Sequence, residues 1–188
     1  MRKLKLQVQL TVDGFISGEK GEMDWMTINW SDDLKSYVDG LLQPVDAILL
    51  GRHLAEGFIP HWEAVANDQE NPEREAGIKF SETHKIVFSK TLTKSKWENT
   101  VVENGDFVEA IKALKQQAGN EMIVYGGGKF VSFLIKEKLI DEMYLFVNPA
   151  IIGKGMSIFK EAEARQKLNL LASRQFACGI VVLVYQTG

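Results

Sequence analysis

Residues 121–155 read EMIVYGGGKFVSFLIKEKLIDEMYLFVNPAIIGKG. A short apolar run stops at three glycines, Gly126, Gly127 and Gly128. A patterned helix follows over 129–138, with Phe130, Phe133 and Leu134 inward, and a strand then opens at Glu142. Strand, tight turn, helix, strand is the repeating unit of a parallel sheet. Three successive glycines carry a large entropic cost, so the chain must need them. A helix start presents free N–H groups and a partial positive charge, and glycines let an anion come close to both. They also permit a tight turn with close helix–strand packing. The octapeptide IVYGGGKF (123–130) leaves both readings open.

Two familiar phosphate motifs fail by identifiable residues. A P-loop needs glycine at 123 and Ser or Thr at 130, where Ile123 and Phe130 stand. The dinucleotide fingerprint Gly-x-Gly-x-x-Gly fits Gly126 and Gly128 but meets Val131 at its third place. Two other strand ends have a similar make-up. ILLGRHL (48–54) puts Gly51 and Arg52 where a strand gives way to a helix, and VFSKTL (87–92) puts Ser89, Lys90 and Thr91 just past a strand. Ligands of open α/β sheets sit outside the carboxyl ends of the strands. Arg52 and Lys90 are suited there to grip a phosphate ester. Each alone is usually a solvated charge; their repetition at three strand ends favours a ligand.

The rest of the chain fits the same plan. Leu4, Leu6, Val8 and Leu10 alternate with polar residues, which predicts a strand with one buried face. Asp13-Gly14 turns the chain, and 19–30, holding Trp25 and Trp30, reads as an ordered loop. Ser31 or Asp32 caps a helix over 33–42, ended by Pro44. VDAILLG (45–51) is apolar enough for a strand buried on both faces. A short helix over 52–58 and an irregular surface excursion over 59–83, with Pro60 and Pro72, come next. Strands follow at 84–89 and, more weakly, 99–103. Asp106 and Glu109 make a capping-box-like pair before a helix that Gly119 stops. The last strand is CGIVVLVYQ (178–186), expected to pair antiparallel with the strand from Glu142, with loop between them over 153–177. The fold class is α/β, a mostly parallel central sheet flanked by helices with an antiparallel C-terminal strand pair.

Composition bounds the function. The 188 residues are 45% hydrophobic, enough for one domain over 1–188. The net charge of −3 argues against a nucleic-acid surface. Cys178 is the only cysteine, so no intrachain disulfide or thiolate zinc site forms, as befits a reducing cytoplasm. MRKLKLQVQL lacks the apolar core of a signal peptide, and no apolar run is long enough for a membrane span. His53, His61 and His84 have no metal-ligand spacing, so no metal is expected.

The blocks QLTVDGFISG, VDAILLGRHLAEGF, HKIVFSKTL and the 121–155 segment, in that order, resemble the dihydrofolate reductase superfamily. Within it the chain is most similar to the reductase domain at the C-terminal end of the bifunctional riboflavin-biosynthesis deaminase/reductase, over about residues 3–186. The resemblance implies a dihydrofolate reductase-like fold and NADPH-dependent reduction of a small heterocyclic, pyrimidine- or pterin-like substrate. It implies that Gly126, Gly127, Gly128, Lys129 and Phe130 meet the cofactor diphosphate. Gly51, Arg52, His53 and Leu54 would form a second phosphate cradle, with Ser89, Lys90 and Arg52 around the 2′-phosphate. Ile16 would lie against the nicotinamide, and Trp25 would belong to a mobile covering loop. Two residues depart from the pattern: Leu54 stands where relatives carry a phosphate-binding Thr, and Gln9 where small residues flank the nicotinamide.

On the substrate side, Asp33 falls near the place of a catalytic carboxylate. Buried there, it could have a raised pKa and relay a proton; otherwise Asp32 and Asp33 simply cap their helix. The zinc deaminase signature is absent, so the resemblance implies a reductase domain without the deaminase half. A nucleotide-binding or regulatory module of the same fold without turnover is the competing expectation. A carboxylate hydrolase ranks below both, for want of a paired acid motif. The apolar C-terminal strands suggest a homodimer that covers them.

Overall fold

A computed structural model describes residues 1–188. Every strand and helix follows the local patterns above, with corrections in two stretches. In chain order the elements are β1 (Leu4–Leu10), α1 (Asp32–Leu42), β2 (Val45–Gly51), α2 (Arg52–Asn67), α3 (Arg74–Glu82), β3 (His84–Phe88), β4 (Thr100–Glu103), α4 (Phe107–Gln116), β5 (Glu121–Tyr125), α5 (Gly128–Lys136), β6 (Glu142–Val147), β7 (Leu168–Gln175) and β8 (Val181–Thr187). They form one eight-stranded sheet in the order β4-β3-β2-β5-β1-β6-β8-β7. β4 through β6 are parallel, and β8 pairs antiparallel with both β6 and β7. The expected α/β class with its antiparallel C-terminal edge is therefore present.

Both faces of the sheet are covered. On one, Leu4, Leu6, Val8, Leu49, Ile86 and Val124 pack with Ile111 of α4 and Val131, Leu134 and Ile135 of α5. On the other, Ile48, Leu50, Val87, Ile123 and Phe146 pack with Leu34 and Val38 of α1, Ala55 and Ile59 of α2 and Phe80 of α3. β1 is central, so its second face is buried too, against the one-face expectation. Lys5 and Gln7 are enclosed there, and Lys5 pairs with Glu121 and lies 5.5 Å from the centre of the Tyr144 ring. Lys5 and Gln9 are paired inside the layer, whereas Lys3 is exposed and the Gln7 oxygen is enclosed without a partner.

The helix read as ending at 58 runs to Asn67 through Pro60, and the excursion over 59–83 is mostly helix. Proline removes one helical hydrogen bond. The aromatic cluster of Phe58, Trp62, Phe80 and Tyr125 more than offsets that loss by locking α2 to α3 and the sheet. β7 also went unforeseen, because 153–177 reads as loop. It is an exposed edge strand with a bulge between Leu170 and Ala172, which breaks the alternation a strand should show. β7 and β8 form the hairpin, turning at Gly179 with φ of 90°. No helix is long and apolar enough to cross a membrane.

Candidate functional site

Because β3, β2, β5, β1 and β6 are parallel neighbours, their carboxyl ends lie side by side along one edge. Gly51 pairs with Phe88, which precedes Ser89. Two residues earlier Leu49 pairs with Val124, which sets Gly126 beside Gly51. The three strand ends singled out in the sequence are thus adjacent.

The glycines there have separate reasons. A Cβ on Gly51 would lie 2.9 Å from Cβ of Phe130, so the α5 start can approach β2 only over a bare Cα. A Cβ on Gly126 or Gly128 would lie 3.4 Å from Val8 or Ile16 respectively, an ordinary contact. Gly127 caps α5 with φ of 150° and ψ of 98°, a backbone that L side chains rarely adopt. Nothing stands closer than 3.7 Å to where its Cβ would be, and that atom belongs to Leu54. Close packing therefore explains Gly51, and backbone conformation explains Gly127, which sets no side chain beside the first N–H groups of α5. Lys129 is exposed one residue into that helix.

Arg52 opens α2 at the neighbouring strand end. Its Nε donates to Glu56 Oε1 at 3.0 Å and its Nη1 to Thr91 Oγ1 at 2.5 Å, with the side chain part-exposed. Thr91, noted in the sequence only as part of VFSKTL, is the residue that steers this guanidinium. Ser89 is buried, and its Oγ accepts the N–H groups of Thr91 and Leu92 at 3.2 and 3.0 Å, so it shapes the turn. Lys90 points away: its Nζ donates to the Gly105 carbonyl and sits 4.3 Å from the Phe107 ring centre. The expected trio of Ser89, Lys90 and Arg52 around one phosphate is in this structure Arg52 with Thr91. His53 is exposed on α2. Leu54 lies against Gly127 with no polar group to offer.

The chain after β1 is stapled to the chain after β6. Val12 N–H donates to the Ala150 carbonyl, Ile16 N–H to Met156 and Met156 N–H to Ser17, each within 2.8–2.9 Å. The Asp13 carboxylate accepts from Ile152 and Gly153, and Gly155 is bare because the Ser17 carbonyl presses on it. This holds Ile16, which is buried, against Gly128 at the start of α5. Trp25 is half-buried in the following loop, and its Nε1 is enclosed without a partner. Gln9, next to last in β1, accepts a hydrogen bond at its Oε1 from Asn148 Nδ2, 2.8 Å away. Asn148 carries no motif; its role comes from a partner distant in sequence, and local pattern offers no signal for it.

Asp33 does not have the buried setting a raised pKa requires. It is exposed, and the Ser31 hydroxyl with the Ala177 and Leu34 N–H groups holds its carboxyl below the ordinary range. It lies in the first turn of α1, behind the N-cap Ser31, and ties that turn to the β7–β8 connection rather than capping the helix.

Residues 2–182 match the RibD C-terminal domain family. YyaP of Bacillus subtilis (strain 168), a protein of uncharacterized activity, is 30% identical over 98% of this chain and 94% of its own. Among solved structures, the diaminohydroxyphosphoribosylaminopyrimidine deaminase/5-amino-6-(5-phosphoribosylamino)uracil reductase of Thermotoga maritima superposes with a TM-score of 0.70 at 20% identity, over 100% of this chain and 57% of that one. Dihydrofolate reductase of Enterococcus faecalis, complexed with NADP(H), superposes with a TM-score of 0.59 at 16% identity, over 99% of this chain and 96% of its own. Those two likenesses establish a shared fold. With the family match over nearly its whole length, the chain belongs to the RibD C-terminal domain family and has the dihydrofolate reductase-like fold.

Proposed function

We propose that this chain is an NADPH-dependent reductase acting on a small heterocyclic substrate of pyrimidine or pterin type. The observation that carries this is the crevice edge itself. Gly127 puts no side chain at the N-terminus of α5, and Arg52 lies one strand away, held by Thr91 and Glu56 with its side chain part-exposed. An open helix start suits a diphosphate, and a part-exposed guanidinium suits the 2′-phosphate of the adenosine ribose. A bare glycine before the helix start and a guanidinium that stays part-exposed beside Glu56 and Thr91 fit such a group. The family match and the NADP(H) bound to the Enterococcus faecalis reductase support the same reading.

When bound, such a cofactor supplies a hydride. The chain's part is to bind and orient. Gly127 and the N–H groups of α5 take the diphosphate, and Arg52 selects the phosphorylated ribose. Ile16 supplies an apolar wall beside the ring and keeps water from it. The relative of known reductase activity also has a second portion, outside the 57% that this chain covers.

A second reading, a nucleotide-binding module of the same fold without turnover, is favoured by one observation: Asp33 is exposed and held ionised, so it supplies no acidic proton at neutral pH. Incubating the protein with NADPH and an oxo-heterocycle such as dihydrofolate separates the two. Loss of the reduced-nicotinamide absorbance supports the enzyme. Saturable NADPH binding with no oxidation across pyrimidine and pterin substrates supports the module.

A further inference from the structure

Asn148 is the first residue past β6 and is fully buried. A buried amide must satisfy two donors and its oxygen, and its partners determine which end is which. Backbone groups are unambiguous here. The Thr27 N–H can only donate, and it lies 3.0 Å from Oδ1. The Phe146 and Leu10 carbonyls can only accept, and they lie 3.1 and 3.5 Å from Nδ2. Nδ2 must therefore be the nitrogen, so the Gln9 atom 2.8 Å from it must be the oxygen.

That chain of partners fixes Gln9 as well. Its Oε1 is turned to Asn148, so its Nε2 points the other way. The hydrogen bond of the Gln9 side chain is the one its Oε1 accepts from Asn148, and Gln9 is only part-buried. Gln9 sits at the carboxyl end of the central strand, paired with Phe146 of β6 and next to β5 with its glycine turn. A pair of neutral donors is thus held at the crevice edge in one orientation. Arg52, the proposed anion ligand, opens α2 just past β2, on the far side of β5.

We infer that Asn148 is a positioning residue that holds the Gln9 amide nitrogen toward the crevice, so the ligand atom seated beside Gln9 is a carbonyl-type hydrogen-bond acceptor. Two ligands carry such an atom in the reductase reading, on which the ligand's identity rests: the carboxamide of the nicotinamide and the oxo group of a heterocyclic substrate. The same network bonds the loop over 19–30 through the Thr27 N–H, which donates to Asn148 Oδ1.

Side-chain amide resonances of nitrogen-15-labelled protein test the orientation without any ligand. The Asn148 NH2 is expected to be protected from solvent exchange and the Gln9 NH2 to exchange freely. The reverse overturns the inference whether or not the protein binds NADPH. Adding NADPH, and separately dihydrofolate, then identifies the acceptor: protection of Gln9 by NADPH alone points to the carboxamide, and protection only with dihydrofolate points to the substrate. Gln9→Met should weaken whichever ligand protects Gln9 by about ten-fold. It should leave 2′,5′-ADP, which lacks the nicotinamide, unchanged. Asn148→Asp accepts the Gln9 NH2 and turns its oxygen outward, so it should give the same selective loss; a merely structural role would weaken all three ligands or none. If NADPH and dihydrofolate both bind and Gln9→Met alters neither, the inference fails. If wild type binds neither, the reductase reading fails, and the exchange experiment still decides the orientation.

Discussion

At the scale of single residues, Arg52 and Gly127 carry the reading of the site. Arg52 should discriminate between cofactors that differ only in the 2′-phosphate. We expect Arg52→Ala to weaken NADPH by about ten-fold or more while changing NADH little, since hydrogen bonds to charged groups are worth more than neutral ones. Equal losses in parallel fluorescence titrations would show that Arg52 does not read the phosphate. Gly127→Ala puts a side chain on a backbone with φ of 150°, at a cost of about 1–3 kcal/mol in denaturant unfolding. A neutral substitution would mean that the turn relaxes and that its geometry is no constraint. Much at this scale was legible: Gly51, Arg52 and the three glycines stand at the strand ends where their spacing puts them. Thr91 and Asn148 were not legible as site residues. Asn148 bonds Gln9 and Thr27 across more than a hundred residues, and that pairing exists only once the strands are ordered. For Asp33, sequence could not tell its exposed position from a buried one.

At the scale of elements, apolar runs such as VDAILLG read correctly as inner strands, because burial on both faces leaves no polar alternative. Pro60 misled in the other direction. It reads as a break, yet α2 passes through it, because Trp62 and Phe80 anchor the helix beyond it with ring centres 4.4 Å apart. β7 escaped notice because its bulge scrambles the period and nearly all its residues are exposed. That strand leaves an unpaired edge carrying Leu170 and Leu171, both more than half exposed. An apolar open edge invites pairing with another strand. The expected occupant is β7 of a second copy about a two-fold axis, the homodimer suggested by the C-terminal strands. Sedimentation should show a dimer at micromolar concentration and Leu170→Lys should shift it toward monomer. A 21.1 kDa species at every concentration would contradict this.

At the scale of the whole molecule, the two ends of the parallel strands divide the labour. The amino ends carry ion pairs, Arg2 with Asp46, Lys3 with Glu142, Lys5 with Glu121 and Lys115 with Asp141. The carboxyl ends carry glycines and open N–H groups. Glu142 is nearly buried, and burial alone would raise its pKa. The Lys3 ammonium, 2.6 Å away, and the Tyr144 hydroxyl outweigh that and hold it below 4.5. A carboxylate whose pKa is lowered on folding stabilises the protein above its unfolded value and loses that contribution as pH falls through the folded one. Lys3 is raised above 10.5 by the same pair, so its contribution is lost only as pH rises past its folded value. The melting temperature should therefore fall as pH drops below about 4.5, and Glu142→Gln should flatten that limb. An unchanged acid limb in the variant would assign the pH dependence to other carboxylates.

The division of ends makes one claim central: a phosphorylated nicotinamide nucleotide lies across the carboxyl ends of β3, β2 and β5. Calorimetric titration of the wild-type chain with NADPH tests it most directly, with NADH and 2′,5′-ADP as comparison ligands. We expect saturable binding at one site per chain, tighter for NADPH than for NADH, with 2′,5′-ADP competing. Absence of saturable NADPH heat, or equal affinity for NADPH and NADH with no competition by 2′,5′-ADP, would contradict it.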